Sequence, residues 1–489
     1  MVSPARRNAL ASYLNFAVLA AVGLVANPLL AGALGPASFG IWKSAQRIFD
    51  VGAAADGQAI QALKWVIANR GREADPAGLR RMIGSAFRVW LLWLPALLLI
   101  QLGLVLMLPV LIADVPEHLG LALMLMGAVL GLNVVARGVS GIPDAALVGS
   151  NLGYRSMLVT TVLLPLSNAA LVIVALSDAG GLVGLAAVVL AATVLNGALT
   201  WLVARASLPW FGASRPEPGE TGELARFGGW VLGWALVARL MLATEILLLG
   251  AILGATAATA WVFTSFVLQF ALAACLMTAS AMMPGLGRLL GQGEIAQAAA
   301  RGKETREVVA AIATVLGCLM VLFNEAFVGL WAGPEVFMGQ PLTIAMALAF
   351  VQLALCRCDG QIQDAGLKLR PKVLLGAAST LLSLLFGGVV LAITGAPWVM
   401  IAAIMVARLP MWVGFAVMVR RLLGPSSALP RRSLPIAVGA LALSVLLAPL
   451  VPQSAWVVTA LPPALCLTAV AGWLMLTPLT RAKLLAMRS

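Results

Sequence analysis

Apolar runs of about 20 residues recur from one end of this 489-residue chain to the other. A run of that length is what an α-helix needs to cross the ~30 Å hydrocarbon core of a bilayer. A transmembrane β-barrel would show short alternating segments instead. The runs predict an all-α, polytopic membrane protein of about 14 transmembrane helices. They fall at roughly 10–34, 38–68, 84–112, 119–143, 157–177, 181–204, 227–253, 256–283, 306–330, 340–366, 373–394, 397–420, 434–450 and 455–478. Composition agrees: 10% of residues are charged and 62% hydrophobic, whereas soluble domains carry roughly 25% charged residues.

The net charge of +13 would suggest nucleic acid in a soluble chain, but here the basic residues sort by loop. With the N-terminus in the cytoplasm, the loops on that side collect Arg6 and Arg7, Arg70 to Arg81, Arg301 and Lys303, Lys368 to Lys372, and Arg481 to Arg488. The opposite loops, "GPAS", "DVPEH", "SDAGG", "AGPEVFMGQ" and "VPQSA", hold no Lys or Arg. This asymmetry predicts cytoplasmic N- and C-termini and an even number of spans. Those loops are too short to fold into a soluble domain, which argues against a membrane enzyme with a site on large outer loops. The stretch Leu10–Leu34 after "MVSPARRN" is longer than a signal-peptide core and reads as an uncleaved first helix. The five cysteines and the single His118 lack metal-ligand spacing. No Walker A, G-x-S-x-G, H-E-x-x-H or Rossmann fingerprint occurs, so no cofactor is expected, and ATP-driven work would need another subunit.

The chain also repeats itself. "LLAGALGPASFGIW" (29–42) aligns with "LLGAILGATAATAW" (248–261) at a constant offset of 219, matching Leu34 with Leu253, Gly35 with Gly254 and Trp42 with Trp261. The copies lie six spans apart, so both run in the same direction. The expected organisation is two parallel-repeat six-helix bundles, 1–204 and 227–433. A cytoplasmic linker at 205–226 joins them, and two appended helices with a tail follow at 434–489. Transporters built from such repeats place their site between the halves.

Charges inside the spans point to that site. Lys43, Arg47, Asp50 and Asp56 share the second span with Gln46, Gln58 and Gln61. Each ion at mid-membrane costs about 2.5–3.5 kcal/mol on insertion scales, and each apolar residue returns only about 0.3–0.6 kcal/mol. On one straight helix, Lys43, Arg47, Asp50, Gln58 and Gln61 fall within about 80° of each other along about 27 Å, with Asp56 off the stripe. A water-filled pathway needs a stripe of that length; a single internal pair, such as Arg47 with Asp50, does not. In the tenth span, Gln352, Asp359 and Gln363 share one face and Arg357, Gln361 and Asp364 another. Arg137, Arg239, Glu245 and Arg408 lie in other spans. Bases outnumber acids, which favours an anionic cargo, and the planar fork of arginine suits phosphate. The expected substrate-binding set is Lys43, Arg47, Arg137, Arg239, Arg357, Gln58 and Gln61. Asp50, Glu245 and Asp359 are the candidates for proton or sodium coupling.

Residues 14–70 resemble the polysaccharide (O-antigen and exopolysaccharide) flippase family of the multidrug/oligosaccharidyl-lipid/polysaccharide exporter (MOP) superfamily. The resemblance rests on "NPLLAGALGPASFGIWKSAQ", with Leu34-Gly35-Pro36, Phe39-Gly40 and Trp42, and on the seven-residue spacing of Gly57 and Lys64. The family's acid stands one residue from the Gly; here Asp56 abuts Gly57, so no role passes to Asp56. The resemblance implies transfer of undecaprenyl-pyrophosphate-linked oligosaccharide across the bacterial inner membrane by alternating access. It also implies membrane lipids as surroundings, and a polysaccharide polymerase and glycosyltransferases as partners. The competing readings are a cation-coupled multidrug exporter or a lipid II flippase of the same superfamily and, from another class, a membrane glycosyltransferase or polymerase.

Overall fold

A computed structural model gives the fold and describes residues 4–56, 59–70, 75–113, 119–177, 179–366, 369–429, 432–452 and 456–486. Among these residues every regular element is helical. Twelve helices among the described residues are long and apolar enough to cross a membrane. Two differences account for the expected fourteen. The first two spans follow each other without a loop in α1 (Pro4–Gly52), divided at Gly35, where the backbone leaves the helical conformation, and the last is the shorter helix Leu461–Met475.

Contacts divide the chain into two compact units, Met1–Thr259 and Ala260–Ser489. The first holds α1, α2 (Ala59–Arg70), α3 (Pro76–Leu111), α4 (Gly120–Gly149), α5 (Gly153–Ser177), α6 (Gly181–Ser207) and α7 (Glu220–Ile252). Within it α4 packs on α6, α1 on α5 and α3 on α4. This unit extends past the linker expected at 205–226, because α7 packs on α1, α2 and α3. The linker itself is docked: Ser214 N donates to Arg80 O at 3.1 Å, Arg80 Nε to Trp210 O at 3.0 Å, and Arg81 pairs with Glu217 and Glu220. The start of α3 is fixed by Asp75, whose carboxylate caps the Gly78 N–H, and by Pro76 in the first turn.

The repeat seen in the sequence is visible in the backbone. Gly35 (φ 76°) and Gly254 (φ 86°), the aligned glycines, are both left-handed, a conformation costly for residues with a Cβ. Gly35 redirects α1, and Gly254 separates α7 from α8 (Ala255–Thr264). The two redirected helices then touch. A Cβ at Gly40 would sit 1.8 Å from the Ala255 carbonyl oxygen and 2.8 Å from Thr259 Oγ1, and that hydroxyl donates to Pro36 O at 2.5 Å. In lipid, helices associate through such close packing rather than through hydrophobic exclusion. Gly40→Ala is therefore expected to destabilise the unit by about 1–3 kcal/mol, read as a lowered Tm in detergent. Gly32→Ala, where a Cβ meets nothing within 4 Å, serves as the control and should not lower it.

The second unit is built on α10 (Ile295–Trp331) and α11 (Gln340–Ala365), around which pack α9 (Phe266–Gly291), α12 (Leu369–Thr394) and α13 (Pro397–Leu423). Small residues on α10, among them Ala310, Ala311 and Ala313, are buried and let its neighbours approach. On α10 also pack α14 (Ser433–Leu447) and α16 (Leu461–Met475). The short α15 (Trp456–Thr459) precedes α16, and α17 (Pro478–Ala486) ends the described chain. Glu307 anchors that end: its Oε2 accepts bonds from Thr477 N, Thr477 Oγ1 and Thr480 Oγ1 at 3.0, 3.0 and 2.8 Å.

Candidate translocation site

From Phe39 to Asp50, α1 is buried except at Lys43, Gln46, Arg47 and Asp50. These are spaced i, i+3, i+4 and i+7, which places them on one helical face. The apolar residues between them, Ile41, Trp42, Ala45, Ile48 and Phe49, are all buried. The face left uncovered is thus wholly polar. Elsewhere the uncovered surface of this unit is Leu-rich, for example Leu99, Val110 and Leu176, as contact with lipid requires.

Charges converge on the lower end of this stripe. Arg137 NH1 of α4 meets Asp50 Oδ1 at 2.7 Å, with the two side chains 48% and 42% exposed. Arg239 NH1 of α7 donates to the Asp50 backbone oxygen at 3.1 Å. That oxygen is available because α1 stops at Gly52, passes through a 3-10 turn (Ala53–Ala55) and restarts as α2. The last carbonyls of a helix have no partner within it and carry partial negative charge, so a guanidinium is stabilised there. Two turns further back, Lys43 Nζ lies 5.3 Å from the Phe39 ring centroid. Lys43 and Arg47 on α1, Arg137 on α4 and Arg239 on α7 therefore attend this face together with Asp50.

The straight 27 Å stripe is corrected by the break after Gly52. Glycine and the turn that follows interrupt the helical phase, so Gln61 is exposed on α2 and does not continue the face of Lys43 and Asp50 by simple periodicity. Gln58 lies outside the described residues. Glu245 is half-buried on α7.

In the second unit the two faces of α11 separate cleanly. Arg357, Gln361 and Asp364 stay partly uncovered, whereas Gln352, Asp359 and Gln363 are buried. Gln361 Nε2 donates to Ser280 Oγ at 3.0 Å, and Lys372 Nζ reaches Asp364 Oδ1 at 2.6 Å. Asp359 is held by Arg306, with Nε to Oδ1 at 2.7 Å and NH2 to Oδ2 at 3.1 Å. Arg306 NH1 donates to Ser427 O at 3.0 Å. Asp359 therefore sits in a dry bidentate pair rather than on the uncovered face.

The segments that hold Arg301 to Arg306 and Lys368 to Lys372 read in the sequence as wet inner loops; Arg306 and Lys372 are both buried. Sequence reasoning also passed over Asn324, whose Nδ2 donates to Thr264 O at 2.9 Å and so satisfies the carbonyl where α8 breaks before α9. A lone Asn in an apolar run was the available signal.

No protein-family model matches the chain, and no curated protein matches it in sequence. Solved structures do match. Lipid II flippase MurJ in an inward closed conformation aligns with a TM-score of 0.66 at 10% identity, over 95% of this chain and 97% of its own. A multidrug resistance MATE family transporter of the MOP superfamily aligns with a TM-score of 0.64 at 14% identity, over 82% of this chain and 95% of its own. This chain shares the fold of these two proteins. A further MOP-superfamily transporter, from Pyrococcus furiosus, aligns with a TM-score of 0.61 at 14% identity, over 86% of this chain and 96% of its own. The neighbours are transporters and a flippase; in this chain the cation-rich face lies on α1, before the break that precedes α2, and is joined by Arg137 and Arg239.

Proposed function

We propose that this chain is a secondary flippase for an anionic polyisoprenoid-pyrophosphate-linked saccharide, a class that includes oligosaccharide repeat units and lipid II. The observation that carries the reading is the uncovered face of α1. Lys43, Gln46, Arg47 and Asp50 would cost several kcal/mol against lipid, so the face borders water, and its surplus of guanidinium and ammonium groups suits a pyrophosphate. Arg137 and Arg239 join it from α4 and α7, with Gln61 and Arg357 as further contacts to the glycan. Asp50 and Glu245 are the acids we assign to ion coupling, in preference to Asp359, which is engaged by Arg306.

Two further observations support a lipid-linked cargo. The second unit carries an open apolar pocket of about 430 Å³, lined by Leu322, Phe323, Leu443, Leu447, Leu467 and Leu474 from α10, α14 and α16. Such a pocket accepts part of an isoprenoid chain. The lipid II flippase also matches 95% of this chain, against 82% for the MATE transporter, so the length beyond a MATE transporter is shared with a protein that moves a lipid-linked substrate. The sorting of basic loops supports cytoplasmic termini in a bacterial inner membrane. The two expected six-helix halves and the two appended helices fit alternating access, with glycosyltransferases supplying the cargo and a polymerase consuming it.

Multidrug export is the second reading, favoured by the MATE neighbours. The Pyrococcus furiosus transporter was described as having a binding pocket of reverse polarity, so this fold does not fix the sign of the cargo. Vesicles containing the purified protein and a fluorescent isoprenoid-pyrophosphate saccharide decide the matter. The wild type should transfer the lipid. Arg137→Gln should slow transfer by about tenfold or more, from loss of a charge-assisted contact of roughly 1.5–3 kcal/mol. Export of cationic dyes without lipid transfer would overturn the proposal.

A further inference from the structure

We propose that the end of the N-terminal unit where α1 begins, α4 turns into α5 and α6 ends is a binding site for a phosphate group, carried on an anionic phospholipid or free in solution. The site is separate from the polar stripe of α1 and does not depend on what that stripe transports.

Its centre is Tyr154, one of only two tyrosines in the chain. The Cζ atoms of Arg7 and Arg155 each lie 5.8 Å from its ring centroid. The scaffold around it is fixed from three directions. Asn8 Nδ2 donates to Asn151 Oδ1 at 2.8 Å, and Tyr154 N donates to Asn8 Oδ1 at 2.7 Å. These bonds pin the start of α1 to the α4–α5 turn, where Asn151 takes the left-handed conformation (φ 61°) that Asn tolerates. Arg155 Nε donates to Tyr154 Oη at 3.1 Å, and its NH1 donates to Ser207 Oγ at 2.5 Å, tying in the end of α6.

This geometry gathers positive charge and leaves it uncompensated. Among the described residues, neither Arg7 nor Arg155 has a carboxylate within ion-pair distance. The acid at this end of α4, Asp144, is already engaged by Lys64 Nζ at 2.9 Å and the Ser156 hydroxyl at 2.7 Å. Two guanidiniums held at one ring repel each other, and a phosphate oxyanion converts that repulsion into forked, charge-assisted hydrogen bonds. The first turn of α5, at Gly153 and Tyr154, contributes a positive dipole end at the same place. Directly along the same helices, Leu10, Leu14, Leu158 and Leu202 are exposed. Acyl chains can lie along that surface while the headgroup reaches the arginines, which favours the phospholipid as the source.

Native mass spectrometry of the full-length protein in detergent tests this, with three probes added separately: dioleoylphosphatidylglycerol, dioleoylphosphatidylcholine and inorganic phosphate. The expected result is a retained phosphatidylglycerol adduct, weaker for phosphatidylcholine. The Arg7→Gln/Arg155→Gln variant should weaken it by about tenfold or more, since each arginine near a charged headgroup contributes on the order of 1 kcal/mol. Phosphate adducts lost in that variant, without a phosphatidylglycerol preference, would keep the site and assign it to a soluble phosphate. Should the double variant misfold, Arg7→Gln alone suffices, because Arg7 meets the site through the Tyr154 ring, and Arg7→Lys should keep part of the binding. Equal retention of both lipids by the wild type together with no phosphate adduct that the variant loses, or phosphatidylglycerol and phosphate binding unchanged in a folded Arg7→Gln/Arg155→Gln or Arg7→Gln variant, would overturn the proposal.

Discussion

Asp359→Ala is expected to destabilise the C-terminal unit by about 3–5 kcal/mol, the largest effect of any single substitution considered. The reason is asymmetric. The side chains of Arg306 and Asp359 are 8% and 1% exposed, so their mutual attraction offsets the cost of withdrawing both from water. Among the described residues, removing the carboxylate leaves a buried guanidinium with the Ser427 carbonyl at 3.0 Å to accept from it. Removing both charges is different: Arg306→Met with Asp359→Leu should recover most of the loss, because no ion is then stranded. Thermal unfolding in detergent measures this, with a sharply lowered Tm in Asp359→Ala and near-recovery in the double variant. The Asp50–Arg137 pair provides the contrast. Its half-exposed partners contribute little to stability, so Asp50→Asn should leave Tm nearly unchanged. An Asp359→Ala variant as stable as the wild type would remove the distinction drawn here between structural and functional charges.

That distinction also marks how far the sequence could be read. The all-helical membrane fold follows from the apolar runs because lipid admits few alternatives. The aligned pair Gly35 and Gly254 was visible as a repeat, and the structure explains it, since both residues need a left-handed backbone at the same bend. The polar face of α1 was legible too, because Lys43, Gln46, Arg47 and Asp50 keep helical spacing within one unbroken segment. Its continuation to Gln61 was not. The break after Gly52 depends on how the chain meets α7, where Arg239 takes up a carbonyl that an unbroken helix would use itself. Asp359 and Arg357, two residues apart, looked equally suited to a site. Only packing against α10 shows that one is covered by Arg306 and the other is not. Arg306 was misread because "RGKETRE" resembles a wet loop, whereas α10 carries it inside a helix of 37 residues flanked by the turn at Pro425–Ser427. Hydropathy records composition along the chain and carries no information about which neighbour arrives.

The largest functional contrast is expected in water access. If the uncovered face of α1 borders a hydrated cavity, thiols placed there ionise and react with polar reagents, while thiols facing hydrocarbon stay protonated and inert. Arg47→Cys, Arg137→Cys and Gln61→Cys sample the proposed face from α1, α4 and α2. Leu99→Cys, Val110→Cys and Leu176→Cys sample exposed apolar surface of the same unit. The natural cysteines interfere little: Cys275, Cys318, Cys356 and Cys358 are buried, and the exposed Cys466 can be replaced by serine in the background. Positions 47 and 137 matter most, since they flank Asp50, where the charges converge. The most direct test of the account is therefore the rate at which a charged, membrane-impermeant methanethiosulfonate labels these thiols in protein reconstituted into sealed and permeabilised vesicles. The account predicts labelling at 47, 61 and 137 from at least one side, faster by about tenfold or more than at 99, 110 and 176; equal protection of all six positions would contradict it.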